Sequence, residues 1–306
     1  MKISVAFITY NHERFIAQSL EGALMQDPAF DWEIVVGEDA STDRTREIVS
    51  GYAERHPGRI RLLPPSPNLG MHRNSERTLK ACTGEYIALL EGDDYWTTPD
   101  KLRRQAEYLD AHPECSLCFH NVLVEYENGG IASHPFRADE SRTVFTFEDL
   151  AAVNFIPTCS VMFRNFAGFS FPDWFHRMPM VDWPLFLLTA ERGNIGYLPA
   201  SMGAYRVHSG GTWASLSRAD ILEKTILAAQ VLGEHLGRRC GKILKRSVSM
   251  WHFEIAGILE AAGDPSGAAR HAVRSLAASP FGRNLPRKEL LRILGRSVSG
   301  RWRTAR

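Results

Sequence analysis

Apolar and polar positions alternate along the first 114 residues in a pattern that predicts short buried strands separated by amphipathic helices. Each apolar run has the length of a strand that is covered on both faces. The predicted strands are Ile3–Tyr10, Trp32–Gly37, Ile60–Leu63 and Tyr86–Leu90. The predicted helices are Glu13–Met25, Ser41–Arg55, Asn68–Cys82 and Lys101–Ala111. This order favours an α/β fold with a mostly parallel sheet that is flanked by helices.

The alternation becomes less regular beyond Cys115. The pattern there predicts antiparallel strands and short helices as far as about Ser217, followed by a chain that is helical and rich in Ala and Leu. The antiparallel strands expected here are Leu117–Tyr126 and Ser160–Arg164, and the short helices are Phe147–Val153 and Leu185–Glu191. A further strand, Ile195–Leu198, leads towards Tyr205–His208. We therefore predict a catalytic-type domain over residues 1–216, with halves 1–114 and 115–216, and an α-helical C-terminal appendage over residues 217–306.

Composition excludes several classes of protein. The apolar fraction is 44% and the net charge is +1, so no overall field favours a nucleic-acid partner. Five cysteines without a small-domain spacing predict buried thiols, including Cys115 and Cys118. The N-terminus lacks the form of a signal peptide, and no apolar run could span a bilayer. We expect a cytoplasmic protein whose oligomeric state is open.

The last 24 residues, 283–306, are rich in Arg and Lys and contain a single acid, Glu289. Two interpretations fit this basic tail: peripheral contact with the inner face of the cytoplasmic membrane, or a solvated helical end. The apolar residues of the tail are Leu290, Leu291, Ile293, Leu294 and Trp302. Oligomerisation and partner binding are further roles that the sequence allows for the region after 217.

Polar side chains follow each predicted strand, and the densest set is Glu91, Asp93 and Asp94. Carboxylates this close repel one another, so they need a cation or hydrogen-bond donors. Oxygen ligands suit Mg²⁺ or Mn²⁺, which complete their shells with phosphate oxygens. In the alternative interpretation, Asp93 and Asp94 only serve the N-terminus of the next helix. Because the carboxyl ends of parallel strands share one edge, all these residues are expected there.

Seven short segments, taken together, resemble the family 2 glycosyltransferases that have the GT-A fold. They are Ile8–Asn11, Val35–Asp43, Asn68–Gly70, Gly84–Ile87, Leu90–Asp94, Met180–Pro184 and Tyr205–His208. Their order and spacing carry the resemblance over residues 4–208. It implies transfer of a sugar from a nucleoside-diphosphate sugar to a hydroxyl of a glycan or lipid-linked saccharide, with inversion, in bacterial cell-surface glycan biosynthesis.

The resemblance also implies which residues bind the donor. Tyr10 and Asp39 would hold the base, and a carboxylate that accepts the N–H of uracil or thymine favours UDP or dTDP; guanine stays open. In the alternative interpretation, Asp39 caps the helix that begins at Ser41. Glu91 stands where the family commonly has Asp and would face the ribose or the metal. The further donor-site candidates are Thr9, Asn11, Asn68, Arg73 and Arg206.

The chemistry that the resemblance implies rests on a cation and a base. A Mn²⁺ or Mg²⁺ cofactor would be held by Asp93 and stabilise the departing diphosphate, with His208 either a second ligand or a structural histidine. Asp182 stands where the family has the general base, although Val181 replaces the acid that usually precedes it. Asp182 alternatively caps its own helix, and Asp149 and Asp173 are the other candidate bases.

Two competing functions use the same features. A sugar nucleotidyltransferase would share the fold and the carboxylates, but it would carry a Gly-rich, Arg-containing loop where this chain has Thr9–His12. A catalytically silent glycan-binding scaffold would be free to lose Asp93 or Asp182, and both are present. Aromatic residues expected mainly in the core, with one or two on the acceptor, are Phe155, Phe171, Trp174, Phe175, Trp183 and Trp213.

Overall fold

The computed structural model describes residues 1–27, 29–139, 141–166, 170–213, 216–280, 282 and 285–299, with the side chains of 297–299 left aside. It contains two compact units. The first comprises residues 1–150, 154–176 and 180–211, and the second comprises 151–153, 177–179 and the chain from 212 onward. The predicted division of residues 1–216 into two functional halves stays a prediction.

The first unit is built on one mixed sheet with the strand order β3-β2-β1-β4-β9-β6-β10-β5. Its strands along this path are β1 Ile3–Thr9, β2 Trp32–Glu38, β3 Ile60–Leu62, β4 Tyr86–Glu91, β5 Tyr95–Trp96, β6 Cys115–Tyr126, β9 Met162–Arg164 and β10 Asn194–Val207. Two short strands, β7 His134–Pro135 and β8 Val144–Phe145, pair with β6 and β10 respectively. Strands β1 to β4 are parallel, as predicted from their uninterrupted apolar runs.

Helices cover this sheet because each carries an apolar face. They are α1 Ile16–Leu24, α2 Thr45–Arg55, α3 Gly70–Ala81, α4 Lys101–Ala111, α5 Phe147–Ala152 and α6 Asp182–Ala190, with short 3₁₀ turns at Thr158–Ser160 and Asp173–Arg177. In β1, Val5, Ala6 and Phe7 are all fully buried, which requires cover on both faces of the strand. The five cysteines are buried free thiols, as predicted.

Three sequence predictions about local structure are wrong in detail. The strand predicted over Ile195–Leu198 does not end there but continues as β10 to Val207, in parallel pairing with β6 that is interrupted by register shifts. Helix α2 begins at Thr45, not at Ser41, because the Ser41 hydroxyl accepts the Asn11 N–H instead. Helix α6 begins at Asp182 itself, three residues earlier than predicted.

The described residues of the second unit form the helices α7 Arg218–His235, α8 Gly237–Ala261, α9 Pro265–Ala278 and α10 Arg287–Ser299. Ser217 and Asp220 form a reciprocal capping box at the start of α7. Asp264 caps α9 by accepting the Gly267 N–H at 2.9 Å. His252 of α8 and His271 of α9 meet through their Nδ1 atoms at 3.1 Å. Small residues let these helices approach closely, and Ala256, Ala268 and Ala272 are fully buried.

The basic tail is used differently from what its sequence suggests. Leu290 and Ile293 of α10 are buried in the core of the second unit, and Leu294 packs against that core. Leu291 is exposed, while Trp302 and Arg283 lie outside the described residues. Most of the apolar surface predicted for a membrane contact is therefore occupied by helix packing. Within the described chain, no helix is both long and apolar enough to cross a bilayer.

Candidate active site

The carboxyl ends of β1, β2 and β4 meet at one edge of the sheet, as predicted. Thr9 of β1 pairs in register with Glu38 of β2, and Ile8 pairs with Glu91 of β4. The chain turns sharply after each of these strands, and Asn11 takes a positive φ of 56°, which Asn tolerates better than most residues. The candidate residues that follow the strands therefore lie together at this edge.

A cluster of four carboxylates occupies this edge. Burial raises the pKa of Glu91 well above its usual range, and three nearby carboxylates raise it further. These belong to Asp93, Asp94 and Asp182. Burial and then the charge of Asp93 likewise raise the pKa of Asp94, whose Oδ2 is buried without a hydrogen-bond partner. The cluster thus brings Asp182, from a distant part of the chain, to the Glu91–Asp94 turn, and it holds excess negative charge.

Two imidazole side chains lie close to the Asp93 carboxylate. His208 Nε2 lies 3.1 Å from Asp93 Oδ2, and His12 Nε2 lies 3.7 Å from the same oxygen. Although burial opposes ionisation, the hydrogen bond from His208 and the nearby His12 lower the pKa of Asp93. Asp93 is therefore the carboxylate of the cluster that stays ionised most readily, and a carboxylate must be ionised to bind a metal ion.

Asp94 and Arg206 join the turn after β4 to the end of β10. Asp94 Oδ1 accepts the Arg206 N–H at 2.9 Å, so Asp94 does not cap the following helix. The Arg206 guanidinium donates to the Asp93 carbonyl oxygen at 2.6 Å and to Gln18, and it lies over the Tyr95 ring at 4.5 Å. Arg206, a predicted diphosphate ligand, is thus already engaged within the protein, in contacts that hold Asp93 in place.

Asp182 is the first residue of α6 and is held by one neighbouring side chain. Asn154 Nδ2 donates to Asp182 Oδ2 at 2.7 Å. Burial raises the pKa of Asp182, against the backbone N–H of Trp183 and the Asn154 amide. A raised pKa makes a carboxylate a stronger base. The alternative base Asp149 is instead paired with Arg142 and caps α5 through Thr146.

Some residues predicted to bind the nucleotide are exposed, and others are buried or already hydrogen-bonded within the protein. Tyr10 is 43% exposed at the end of β1, and Arg73 is exposed on α3, whereas Thr9 is buried. Asp39 is buried and accepts the N–H groups of Leu69 and Gly70 at 2.8 and 2.9 Å. Asp39 therefore caps α3 rather than the Ser41 segment.

Two asparagines of this group brace the loops around Asp39. Asn68 Nδ2 donates to the Asp39 carbonyl oxygen at 2.9 Å. Asn11 Oδ1 accepts the Thr42 N–H at 2.8 Å, which joins the loop after β1 to the loop after β2. Asn11 and Asn68 thus have structural partners that position the base-binding candidates Tyr10 and Asp39.

The aromatic residues considered for the acceptor side are mostly core residues, as expected. Trp174, Phe175 and Trp183 are buried, and Trp183 Nε1 donates to the Leu150 carbonyl oxygen. Phe155 packs between Phe119 and Phe145. Phe171 is half-buried, and its ring contacts that of Phe175. Of these five, Phe171 and Phe155 keep partial exposure.

A divalent cation fits the side chains around Asp93 in part. Two neighbouring ligands of an octahedral ion at about 2.1 Å stand about 3 Å apart, which matches the 3.1 Å between His208 Nε2 and Asp93 Oδ2. The unpartnered Asp94 Oδ2 and the excess negative charge also favour a cation. Across the described residues, no group of three or more His, Cys, Asp or Glu side chains could hold a metal ion, so phosphate oxygens would have to complete the shell.

Sequence reasoning missed three residues of the site: His12, Asn154 and Gln18. His12 directly follows the Ile8–Asn11 segment, so its position one turn beyond β1 was available as a signal. Asn154 and Gln18 carry no local signal, because their contacts with Asp182 and Arg206 span 28 and 188 residues of chain.

Comparison with known proteins identifies the family. The model of Glycosyl transferase family 2 matches residues 4–168, so the chain belongs to this family. Uncharacterized proteins of Mycobacterium tuberculosis and Mycobacterium bovis are 41% identical over 213 residues, which cover 70% of this chain and 61% of theirs. The matched part of the chain thus spans about three fifths of the length of these relatives.

Two solved structures share the fold. One is Staphylococcus aureus TarS 1–349 in complex with UDP-GlcNAc, with a TM-score of 0.62 at 17% identity over 99% of this chain and 93% of that chain. The other is a mannosyltransferase of Pyrobaculum calidifontis in complex with GDP-Man and Mn²⁺, with a TM-score of 0.57 at 19% identity over 97% of this chain and 80% of that one. Likeness at this identity shows the fold alone, and it confirms the predicted GT-A type.

Proposed function

We propose that this protein is an inverting glycosyltransferase that moves a sugar from a nucleoside-diphosphate sugar to a hydroxyl of a glycan or lipid-linked acceptor. The observation that carries the proposal is the meeting of Asp182 with the Glu91–Asp94 turn at the carboxyl edge of a family 2 fold. A base for the attacking hydroxyl and carboxylates that would hold a cation at the leaving diphosphate are the two parts that direct displacement at an anomeric carbon needs.

The donor would lie along the edge formed by the ends of β1, β2 and β4. Tyr10 offers an exposed ring for the base, and each Asp39 oxygen keeps one lone pair beyond the bond it accepts from the α3 backbone. That lone pair suits the N–H of uracil or thymine, which favours UDP or dTDP. The relatives of known fold include one bound to UDP-GlcNAc and one bound to GDP-Man, so a guanine donor is the alternative.

Asp93 and His208 would hold Mn²⁺ or Mg²⁺, and the ion would supply charge stabilisation of the departing diphosphate. The Pyrobaculum calidifontis mannosyltransferase, which shares this fold and was solved with GDP-Man and Mn²⁺, supports such a cofactor. Asp182, oriented by Asn154, would accept the proton of the attacking hydroxyl. Glu91, which stands at the end of β4, would face the ribose or the cation.

The test is calorimetric titration of the purified protein with UDP, dTDP, GDP and CDP, each with and without Mn²⁺. We expect micromolar binding of one nucleotide that needs the cation, and a loss of that binding in Asp93→Ala. In turnover, Asp93→Ala should lower the rate roughly 100- to 1000-fold. If no nucleoside diphosphate bound under any condition, the transferase proposal would fail and a silent scaffold would replace it.

Location at the inner face of the cytoplasmic membrane is part of this proposal, because a lipid-linked acceptor would be reached there. With Leu290 and Ile293 buried, any such contact would rest on the basic side chains of the tail. Sedimentation with anionic vesicles should then show binding at low salt that disappears at high salt, because salt screens the attraction between exposed Lys or Arg side chains and anionic lipids. Binding that resists high salt would contradict an electrostatic contact.

A further inference from the structure

The donor site needs a group that interacts with the diphosphate, and the residues expected from the sequence do not readily supply it. The Arg206 guanidinium is engaged with Gln18 and the Asp93 backbone. Arg73 is an exposed side chain on α3, and no hydrogen bond described for it holds its guanidinium towards the Glu91–Asp94 turn. A different side chain, His12, is aimed at Asp93.

The position of His12 is built into the fold. Its Nδ1 lies 3.2 Å from Thr9 Oγ1, and its side chain is 19% exposed. Gly92 makes this arrangement possible, because a Cβ there would lie 2.4 Å from Thr9 Oγ1 and 2.8 Å from His12 Nδ1. The glycine between Glu91 and Asp93 therefore creates the space into which the imidazole and its supporting hydroxyl fit.

The partners of His12 determine which nitrogen carries the proton. The carboxylate oxygen that His12 Nε2 faces at 3.7 Å is an acceptor, which favours the tautomer with the proton on Nε2. The Thr9 hydroxyl then donates to Nδ1. A cation held by Asp93 would bring the diphosphate to this carboxylate, and His12 Nε2 lies 3.7 Å from its Oδ2.

We propose that His12 binds the diphosphate of the donor by donating Nε2–H to a phosphate oxygen, in the orientation that Thr9 and Gly92 impose. This inference rests on the proposed function, since it names a further residue of the same site. Hydrogen bonds to charged groups contribute more than neutral ones, and loss of such a donor corresponds to roughly a 10- to 100-fold weaker complex.

Two substitutions separate the two ring nitrogens. His12→Asn places an amide near the position of Nδ1 and removes the group at Nε2, so it keeps the Thr9 contact and loses the phosphate donor. His12→Gln places an amide near the position of Nε2 and restores the donor. His112→Ala is the matched control, because this histidine is a solvent-exposed residue after α4 that pairs with Glu114.

The experiment is calorimetric titration of each variant with UDP, or whichever nucleoside diphosphate the wild type binds best, and with the corresponding nucleoside. We expect His12→Asn to weaken the diphosphate at least tenfold and the nucleoside less than twofold, while His12→Gln recovers most of the loss and His112→Ala changes neither. Thermal unfolding of each variant serves as the folding control.

Two results would overturn the inference while the proposed function stands. One is an unchanged diphosphate affinity in His12→Asn, or an equal loss for diphosphate and nucleoside. The other is a loss of Mn²⁺ binding in His12→Asn without nucleotide, measured by electron paramagnetic resonance, which would make His12 a support of the cation. A wild type that binds no nucleoside diphosphate would instead refute the proposed function itself.

Discussion

Asp182 and Asp149 show how the same residue type acquires different chemistry from its surroundings. Asp182 is half-buried, accepts one amide from Asn154 and has a raised pKa, which burial causes. Asp149 is also half-buried, but its pKa is lowered by hydrogen bonds with Arg142 and Thr146, against a burial effect that alone would raise it. Both were candidate bases in the sequence, and only their environments separate them.

The first residue-scale prediction concerns these two aspartates. We expect Asp182→Asn to lower kcat by about 100-fold or more, because an amide cannot accept the acceptor's proton, with little change in nucleotide affinity. Turnover of the donor identified by calorimetry measures the effect. Asp149→Asn is the control and should retain most activity. A comparable loss of kcat in that variant would show that Asp182 is not specifically the base.

Lys101 is the second residue whose chemistry depends on burial. It is fully buried on α4, its Nζ has no hydrogen-bond partner, and it lies 3.8 Å from the centre of the Trp96 ring. The ring favours the ammonium form, but burial opposes it more strongly and lowers the pKa of Lys101 to about 7. Folding near neutral pH therefore releases a proton from this amine.

This gives a pH prediction with a definite sign. Between about pH 7 and the unfolded value of 10.5, the unfolded state binds more protons than the folded state, so the free energy of unfolding rises with pH. Each pKa unit corresponds to about 1.4 kcal/mol. Lys101→Met should remove this rise, and its stabilising effect should be largest below about pH 7 and decline towards pH 10.5.

Urea unfolding of wild type and Lys101→Met at several pH values between 6 and 10 provides the measurement. The difference in unfolding free energy between the two proteins is the informative quantity, because it cancels the titration of the other groups. A difference that stays constant across this range would show that Lys101 is charged in the folded protein.

At the scale of single elements, the first turn of α3 is capped by Asp39, a residue that follows strand β2. Asp39 accepts the N–H groups of Leu69 and Gly70, the first donors of the helix. The sequence predicted Asp39 either as a base ligand or as the cap of the nearer helix. It caps the more distant one because the chain reverses after β2 and returns to the same edge, with Asn68 bonded to the Asp39 carbonyl oxygen.

We expect Asp39→Ala to lower the free energy of unfolding by about 1–2 kcal/mol, because two N–H groups at the start of α3 lose their acceptors. Thermal or urea unfolding measures this. Asp31→Ala is the matched control, since Asp31 is exposed and contributes only its carbonyl oxygen to the hydrogen bonds described. Equal stability of the two variants would contradict a capping role.

At the scale of the whole chain, α10 was the element whose use the sequence left open. Its apolar residues fit a membrane surface or a packed helix equally well. The structure buries Leu290 fully and leaves Leu291 61% exposed, one residue further on. Neighbouring positions on a helix point about 100° apart, so one of them reaches the core and the other does not.

We expect Leu290→Ala to destabilise the second unit by about 2–5 kcal/mol, the cost of a cavity in a helical core. Leu291→Ala should change stability by less than about 0.5 kcal/mol. Urea unfolding followed by circular dichroism compares the two variants. A larger loss in Leu291→Ala, or vesicle binding that depends on Leu291, would show that α10 uses its other face.

The sequence by itself determined the α/β order, the parallel strands β1 to β4, the family, and the residues at the carboxyl ends of those strands. These follow from local periodicity and from short segments in which neighbouring residues act together. Helix α4 was predicted with its observed bounds, Lys101–Ala111, because its apolar spacing is regular.

Only the tertiary structure decided which of these side chains act on one another. The influence of Asp182 on Glu91, the hydrogen bond of Arg206 to Gln18 and the approach of His12 to Asp93 link residues that are about 80 to 190 positions apart. The free energy of such contacts depends on distance, burial and shared hydrogen bonds, none of which a linear pattern contains. The same limit explains why strand β10 was predicted to end at Leu198: its pairing with β6 continues through register shifts to Val207.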